Sequence, residues 1–559
     1  MKSIILKIRP SHLSLLLLFS LMLPVAILLF TERNPFWISV GCCLIPLGFN
    51  IMFVALARRS GVMVWLGLPL IFFSAFQIVI SYLFGCSVVA TDMFLNLLTT
   101  NAGEAGELLA NIYPAVAFVG VIYLVILSLA VVHICRGELL GKEFRGRMML
   151  SGGIVFMTGC LIMVLCCRSE AKRVVRDEIF PINVAYNLGL AISESRKIEH
   201  YDESSSGFNY RALRTESPSC REVYVLIIGE ASRAASWQLF GYPRATNPLL
   251  SQRDDVITFG NVLTLSNTTH KSVPMILSSV HPSQHSELYR RKGLPKLFNE
   301  AGFMTYFISN QSPQGAMIDN LACGAQRVIY VEHPRFDMQL CELLSQALRQ
   351  DQSPKILFIL HSYGSHFSYH QRYPREFAHF QPDDDVAIKS SNAELIRNAY
   401  DNSIIYTDYF LNEVINLLGS MEGVASAMFY CADHGEDLFD SSRRGFLHSS
   451  PTVTYNQLHV ASLAWFSENY KALFPARIES AKCNSMAQAT TYSLFHTMAE
   501  IASIYSPYVD YGASLINRYF DFGATRYYLN DHNCAVRLNS EIGINEHEQA
   551  LFSSHGIEL

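Results

Sequence analysis

The chain reads as an apolar bundle of five membrane-spanning helices followed by an α/β domain built on a mainly parallel sheet. Three observations predict this. Five apolar runs of spanning length fill the first third of the sequence. Four short β-branched or aromatic runs in the remainder each end abruptly in polar residues, and helix-like segments separate them. Of the 559 residues, 50% are hydrophobic and the mean hydropathy is +0.20, which is more apolar than an ordinary soluble enzyme of this size. The formal charge of -5 is mild and gives no basis for nucleic-acid binding. No Cys-x-x-Cys pair occurs among the 13 cysteines, which excludes thioredoxin-like motifs and paired-cysteine metal sites.

The apolar runs cover residues 13–30, 36–57, 62–84, 115–135 and 148–167. The first lacks a clear cleavage site and belongs with the others rather than to a signal peptide. Basic residues set the orientation. Lys2, Lys7 and Arg9 precede the first run, Arg58 and Arg59 follow the second, and Arg136, Lys142, Arg145 and Arg147 follow the fourth. The alternate loops carry few or none, so the N-terminus is expected inside and everything after the fifth run outside. Arg168, Lys172, Arg173 and Arg176 run against this, but long domains translocate largely regardless of charge. The outside loop 85–114 is too long for a turn and reads as amphipathic helix lying on the membrane, with Asn96, Thr100 and Glu104 spaced to share one face. Residues 168–222 form a connecting helix and linker, with 204–207 as a flexible joint. The outer domain spans 223–559.

Four segments share the buried-strand design: 224–230, 303–311, 355–366 and 426–436. Alternation with helical patterns such as 293–301 and 402–418 implies a parallel sheet covered on both faces. Ligands of such sheets bind beyond the carboxyl ends of the strands. Glu230, Asn310, His361, His366, Asp433 and His434 all fall there.

Asp433-His434-Gly435-Glu436 is the sharpest local motif. An aspartate and a neutral imidazole are oxygen and nitrogen ligands of the kind zinc accepts, and the glycine allows a tight turn. Glu230 offers a third ligand. Glu436 and Asp437 read as acids of a first helical turn. A nucleophile is expected between the first strand and this pair, among Ser266, Thr268, Thr269 and Ser272, with Ser272-Val273-Pro274 as N-cap and first turn of a helix. A bound divalent cation would activate such a hydroxyl. His366 and His448 are candidates for a second metal or for a phosphate. His361 reads as a buried, satisfied histidine, and Tyr400-Asp401-Asn402-Ser403 as a helix start.

The ordered set IIGEASRAASWQLFGYPRATNP, NTTHKSVP, HSYGSHFSYHQRYP, YDNSIIYTDY and ADHGE resembles the phosphoethanolamine transferases, over nearly the whole chain. The five-span anchor and the stretch TDMFLNLLTTNAGEAGELL are similar too. The resemblance implies an alkaline-phosphatase-like (sulfatase-like) catalytic domain in the bacterial periplasm, held by a multi-pass inner-membrane anchor. It implies a zinc-dependent enzyme with Thr269 as nucleophile and Glu230, Thr269, Asp433 and His434 as metal ligands. His366, His448 and Asn310 fall near the substrate phosphate, and Asn96, Thr100 and Glu104 at the head group. The implied reaction moves phosphoethanolamine from phosphatidylethanolamine to a lipopolysaccharide, at lipid A or core, or to another surface glycan, through a phospho-threonine, in a monomeric enzyme.

This chain departs from the lipid A branch in two places. Leu265 and Met275 stand where cysteines bracket the nucleophile segment, and the stretch 309–315 carries no lysine. Both favour a core sugar or another glycan as acceptor. Cys323 and Cys341 are the candidates for a disulfide outside the membrane. Three other functions compete. A metal-dependent hydrolase, phosphatase or sulfatase, shares this fold and metal chemistry, but a sulfatase needs a Cys/Ser-x-Pro-x-Arg segment, which is absent near the nucleophile. A phosphoglycerol transferase of the lipoteichoic acid synthase kind shares the five spans and the threonine, but the stretch 401–408 favours the phosphoethanolamine branch. A catalytically dead regulator tends to lose ligands, and here the set Glu230, Thr269, Asp433 and His434 is intact.

Overall fold

The computed structural model describes residues 9–559 apart from residues 33, 85–87, 100–101, 167–170, 314, 333–334, 442–444, 451–452, 540–543 and 545. It divides into two compact units, Met1–Phe94 with Glu104–Ile192, and Leu95–Gly103 with Ser193–Leu559.

Among the described residues of the first unit, four helices are long and apolar enough to cross a membrane: Pro10–Thr31, Phe36–Ala55, Tyr113–Arg136 and Lys142–Cys166. The pair Ser60–Leu66 and Leu68–Tyr82, bent by 61°, makes a fifth crossing if read as one span. The break has a local cause. Gly67 ends the first piece, and Pro69 sits in the first turn of the second, where its missing N–H costs nothing. Helices Phe36–Ala55 and Lys142–Cys166 pack closely through small residues, and a Cβ on Gly48 would lie 2.4 Å from the Phe156 nitrogen. Arg145 closes one end of this pair by donating from Nε to the Ala55 carbonyl at 2.9 Å and from Nη2 to the Leu56 carbonyl at 2.7 Å.

The second unit is built on a seven-stranded sheet. Its strands are β1 (Glu222–Gly229), β2 (Val256–Thr258), β3 (Met304–Ser309), β4 (Arg327–Tyr330), β5 (Lys355–His361), β6 (Ala425–Ala432) and β7 (Ser462–Phe466). The spatial order is β2-β7-β6-β1-β5-β3-β4. From β6 to β4 the strands are parallel, and β7 runs antiparallel to both its neighbours. β1 and β6 are buried along their whole length, as continuous apolar strands covered on both faces must be. Tyr224, Leu226, Ile228, Phe429, Leu357 and Ile359 sit in the main core.

Several local expectations give way to tertiary contacts. Residues 204–207 are no joint, because Tyr201–Ser205 is helical, Ser205 is buried, and Ser204 Oγ donates to the Tyr289 carbonyl. The stretch Tyr400 to Ser403 lies inside the helix Ala393–Gly419. There Asp401 accepts from Arg244 Nη1 and the Tyr242 hydroxyl, and Asn402 bonds Phe380, so these cap-like side chains hold loops instead. The helix expected to open at Ser272 is Thr269–Ile276 with Thr268 as its N-cap, which places Ser272 and Pro274 within it. Glu436 and Asp437 open no helix. Asp437–Leu438 pairs antiparallel with Phe446–Leu447, and both acids are buried. Cys323 and Cys341 are both free thiols.

Candidate active site

The ends of β1, β3, β5 and β6 converge. Glu230 follows β1, Gln311 follows β3, and Asp433-His434 follow β6. Two features of the backbone make this convergence possible. Gly364, at φ +47, lies so close to β1 that a Cβ would stand 2.7 Å from the Glu230 carbonyl oxygen. At Gly435 a Cβ would fall 1.9 Å from the Asn456 carbonyl oxygen. The glycine of the Asp-His-Gly motif is therefore required by close approach.

Of the four candidate hydroxyls, Thr269 meets both Glu230 and His434. Its Oγ1 is 3.0 Å from His434 Nε2 and 3.3 Å from both Glu230 carboxylate oxygens. It is half-buried, at the first position of its helix, where backbone N–H groups are open to an anion. Ser266 and Thr268 are buried and bond each other at 3.2 Å. Ser272 Oγ donates to Asp433 Oδ2 at 3.2 Å.

Glu230, Asp433 and His434 are fully buried, and one ligand atom from each lies within 4.8 Å of the others. His434 Nε2 is 3.4 Å from Glu230 Oε1 and 3.4 Å from Asp433 Oδ2. The orientations are fixed from behind. His434 Nδ1 donates to the Gly435 carbonyl at 2.9 Å, which turns Nε2 toward Thr269. Asp433 Oδ1 accepts from the Ala231 and His434 N–H groups at 3.1 and 2.7 Å. Burial pushes the Asp433 carboxyl up to about 7, with Glu230 adding to it. Burial opposes ionisation of Glu230 as well, but the hydrogen bond and charge of His434 hold it below the usual carboxylate range. Burial lowers His434, yet Asp433 and Glu230 raise it to about 10. Two buried carboxylates around one imidazole are an excess of negative charge that a divalent cation would balance, and the O, O, N donor set fits zinc.

A second group adjoins the first. His448 Nδ1 is 3.0 Å from Glu436 Oε2, and the His434 and His448 rings are 4.0 Å apart. Glu436 Oε1 accepts from the Tyr369 hydroxyl, and burial pushes Glu436 up to about 8. His366 is half-buried against Tyr363 and Phe367, and its buried Nδ1 has no partner among the described residues. Burial lowers it to about 3. His361 is half-satisfied, with Nδ1 on Ser309 Oγ and Nε2 without a partner among the described residues.

Asn310 is fully buried, and its Nδ2 donates to Asp337 Oδ1 at 2.8 Å. Its neighbour Gln311, which sequence reasoning missed, reaches the site by donating from Nε2 to Glu230 Oε2 at 3.0 Å and to the Ser362 carbonyl at 2.8 Å. The polar run after β3 was the available signal, and period-two alternation decides which neighbour points inward. Asp337 also went unread. It accepts from the Tyr363 and Gly364 N–H groups and from Asn310, joining the ends of β3 and β5. Thr100 lies outside the described residues, as do the side chains of Asn96 and Glu104.

The Sulfatase family model matches residues 222–504, which include these strand-end acids, the imidazole and the hydroxyl. The chain belongs to the sulfatase family. Within it, the chain is 33% identical to the putative transferase YhbX of Escherichia coli over 250 residues, 44% of this chain and 43% of that one. It is 30% identical to phosphoethanolamine transferase EptA of Salmonella typhimurium over 305 residues, 52% of this chain and 54% of that one. The chain spans about half the length of the curated relatives it matches. Among solved structures it is similar to the integral membrane lipooligosaccharide phosphoethanolamine transferase A of Neisseria meningitidis. There the TM-score is 0.71 at 21% identity, covering 91% of this chain and 98% of that one. The zinc complex of the periplasmic domain of Escherichia coli EptC matches 58% of this chain and 94% of that one, with a TM-score of 0.52 at 24% identity. At these identities the two structures bear on the fold alone, and they agree with the architecture of apolar helices followed by a sulfatase-like domain.

Proposed function

We propose that this sulfatase-family chain transfers phosphoethanolamine from phosphatidylethanolamine to lipopolysaccharide, at lipid A or core, or to another surface glycan. The observation that carries the reading is the Thr269 hydroxyl, 3.0 Å from His434 Nε2 and equidistant from both oxygens of Glu230. The names of the phosphoethanolamine transferases it is similar to supply the group transferred. Glu230, Thr269, Asp433 and His434 would hold zinc, which would lower the pKa of the hydroxyl and stabilise charge on the phosphoryl group. His448, whose ring lies 4.0 Å from that of His434, and His366 would contact the phosphate. The helix starting at Thr269 turns backbone N–H groups toward it.

The reaction runs in two displacements. Thr269 Oγ1 bonds to phosphorus as the bond to the glycerol oxygen breaks, and diacylglycerol leaves with a proton. A hydroxyl or phosphate oxygen of the acceptor then takes phosphorus from Oγ1, and the threonine recovers its proton. The covalent intermediate divides one hard displacement into two easier ones. The apolar helices would anchor the enzyme as a monomer in the bacterial inner membrane, with the second unit in the periplasm. Intact-protein mass spectrometry after incubation with phosphatidylethanolamine tests the reading. One phosphoethanolamine mass on Thr269 supports it, and an unmodified, zinc-loaded protein refutes it.

A further inference from the structure

The region matched by the family model ends at residue 504, yet the chain beyond it grips the nucleophile segment from both sides. The hairpin β8 (Tyr527–Leu529) and β9 (Ala535–Arg537) lies in this C-terminal part. The Leu529 N–H donates to the Leu265 carbonyl at 2.7 Å, and the Tyr528 hydroxyl donates to Asn267 Oδ1 at 2.8 Å. On the far side of Thr269, Lys271 Nζ donates to the Asn530 carbonyl at 2.8 Å. Asn267 and Lys271 are 2% and 3% exposed, so these bonds are shielded from water. Three consecutive residues of the C-terminal part thus hold positions four before, two before and two after the nucleophile.

The same contacts reach His448. Asn267 Nδ2 donates to the Ser450 carbonyl at 2.8 Å and to Gln457 Oε1 at 2.9 Å, and its own carbonyl accepts from the Ser449 N–H at 3.0 Å. Gln457 Nε2 donates in turn to the Leu447 carbonyl. Glu548 Oε2 accepts from the Tyr455 N–H at 2.8 Å, and Phe552 and Ile557 pack with Leu263, Tyr455 and Leu458. Asn267 is the junction at which the Thr269 loop, the His448 loop and the C-terminal hairpin meet.

We infer that residues 527–530 are a positioning element for the reaction. They set where Thr269 Oγ1 stands relative to His434 and His448, through Leu265, Asn267 and Lys271. The inference rests on the proposed transfer through Thr269. Misplacing a nucleophile by a fraction of an ångström slows the step it performs, whether or not the metal site stays intact. Tyr528→Phe deletes the bond to Asn267 and keeps the ring packed. Lys271→Met deletes the bond to Asn530, and Lys271→Arg restores a donor.

The test uses the full chain in detergent with zinc bound and phosphatidylethanolamine saturating. The readout is the rate at which Thr269 gains the phosphoethanolamine mass, with zinc content and thermal midpoint measured alongside. Tyr528→Phe and Lys271→Met are each expected to slow loading roughly tenfold with zinc content unchanged, and Lys271→Arg to recover most of the rate. Unchanged loading in both variants, or a loss that merely follows lost zinc or lost folding, overturns the inference. If the wild-type chain itself never loads, the transfer reading falls and this inference falls with it. A loading wild type beside unaffected variants removes the inference alone.

Discussion

Thr269 Oγ1 and His434 Nε2 stand 3.0 Å apart, and only one nitrogen of that imidazole can face the threonine. Nδ1 is committed to the Gly435 carbonyl, so Nε2 points to where the hydroxyl and a cation would meet. The proposed nucleophile thus stands directly beside a proposed metal ligand. Thr269→Ala is expected to abolish transfer, by at least about a thousandfold, with Glu230, Asp433 and His434 still holding zinc. Thr269→Ser is expected to keep part of the rate. A transfer assay beside elemental analysis checks both, and full activity in Thr269→Ala would remove the nucleophile from the account.

Removing the cation tests the other half. Dialysis against a strong chelator is expected to stop transfer, and added zinc to restore it. Asp433→Asn is expected to lower bound zinc in the purified chain, because a neutral amide is a weaker donor and cannot balance the charge. Activity that survives complete demetallation would contradict the metal assignment.

Gln311 touches no candidate nucleophile but holds Glu230 Oε2 with one N–H and the Ser362 carbonyl with the other. Gln311→Leu leaves both acceptors buried without that donor. Zinc affinity is expected to fall about ten- to a hundredfold, the usual cost of losing the group that orients a ligand. Competition with a chromogenic chelator would measure it, and an unchanged affinity would show that Gln311 merely fills space.

Much of this site was legible in the sequence, and the reasons are local. β1 and β6 announce themselves as apolar runs that break at Glu230 and Asp433, because strands buried on both faces have no polar positions until they end. The membrane helices follow from hydropathy, and even the bend at Gly67 has residues that mark it. What stayed hidden depends on partners far along the chain. Asp401 and Asn402 look like caps because such side chains often bond their own backbone, but here they meet Arg244 and Phe380. Glu436 looks like a solvated helix acid until His448 and Tyr369 are seen against it. Asn310 and Gln311 are indistinguishable by composition, and one residue of register decides which faces Glu230.

Gly435→Ala separates close approach from chain flexibility. The added methyl would collide with the Asn456 carbonyl, and the shift would break the Gly435 N–H bond to the Gln457 carbonyl. A destabilisation of about 2–4 kcal/mol is expected, with loss of zinc, read from chemical denaturation and metal content.

Acid should destabilise the second unit through buried histidines that are not among the proposed metal ligands. His459 is held neutral, its Nδ1 accepting from the Tyr455 hydroxyl at 2.8 Å and its Nε2 donating to the Gly260 carbonyl at 3.0 Å. Burial lowers it to about 4. A lowered histidine binds fewer protons folded than unfolded, so its share of stability is full above roughly pH 6.5 and is lost as pH falls toward 4. That share is about 3 kcal/mol, and His496, lowered to about 3 by burial, acts in the same direction. In His459→Gln the slope of stability against pH over this window should shrink by about one proton. An unchanged slope would contradict the assignment.

Mass spectrometry of lipid A, core oligosaccharide and other surface glycans, from cells with and without this protein, tests the central claim most directly. The account predicts one added phosphoethanolamine unit on one fraction, present with the wild-type chain and absent with Thr269→Ala. No added unit on any fraction, with the wild-type chain present in the membrane and carrying zinc, would contradict it.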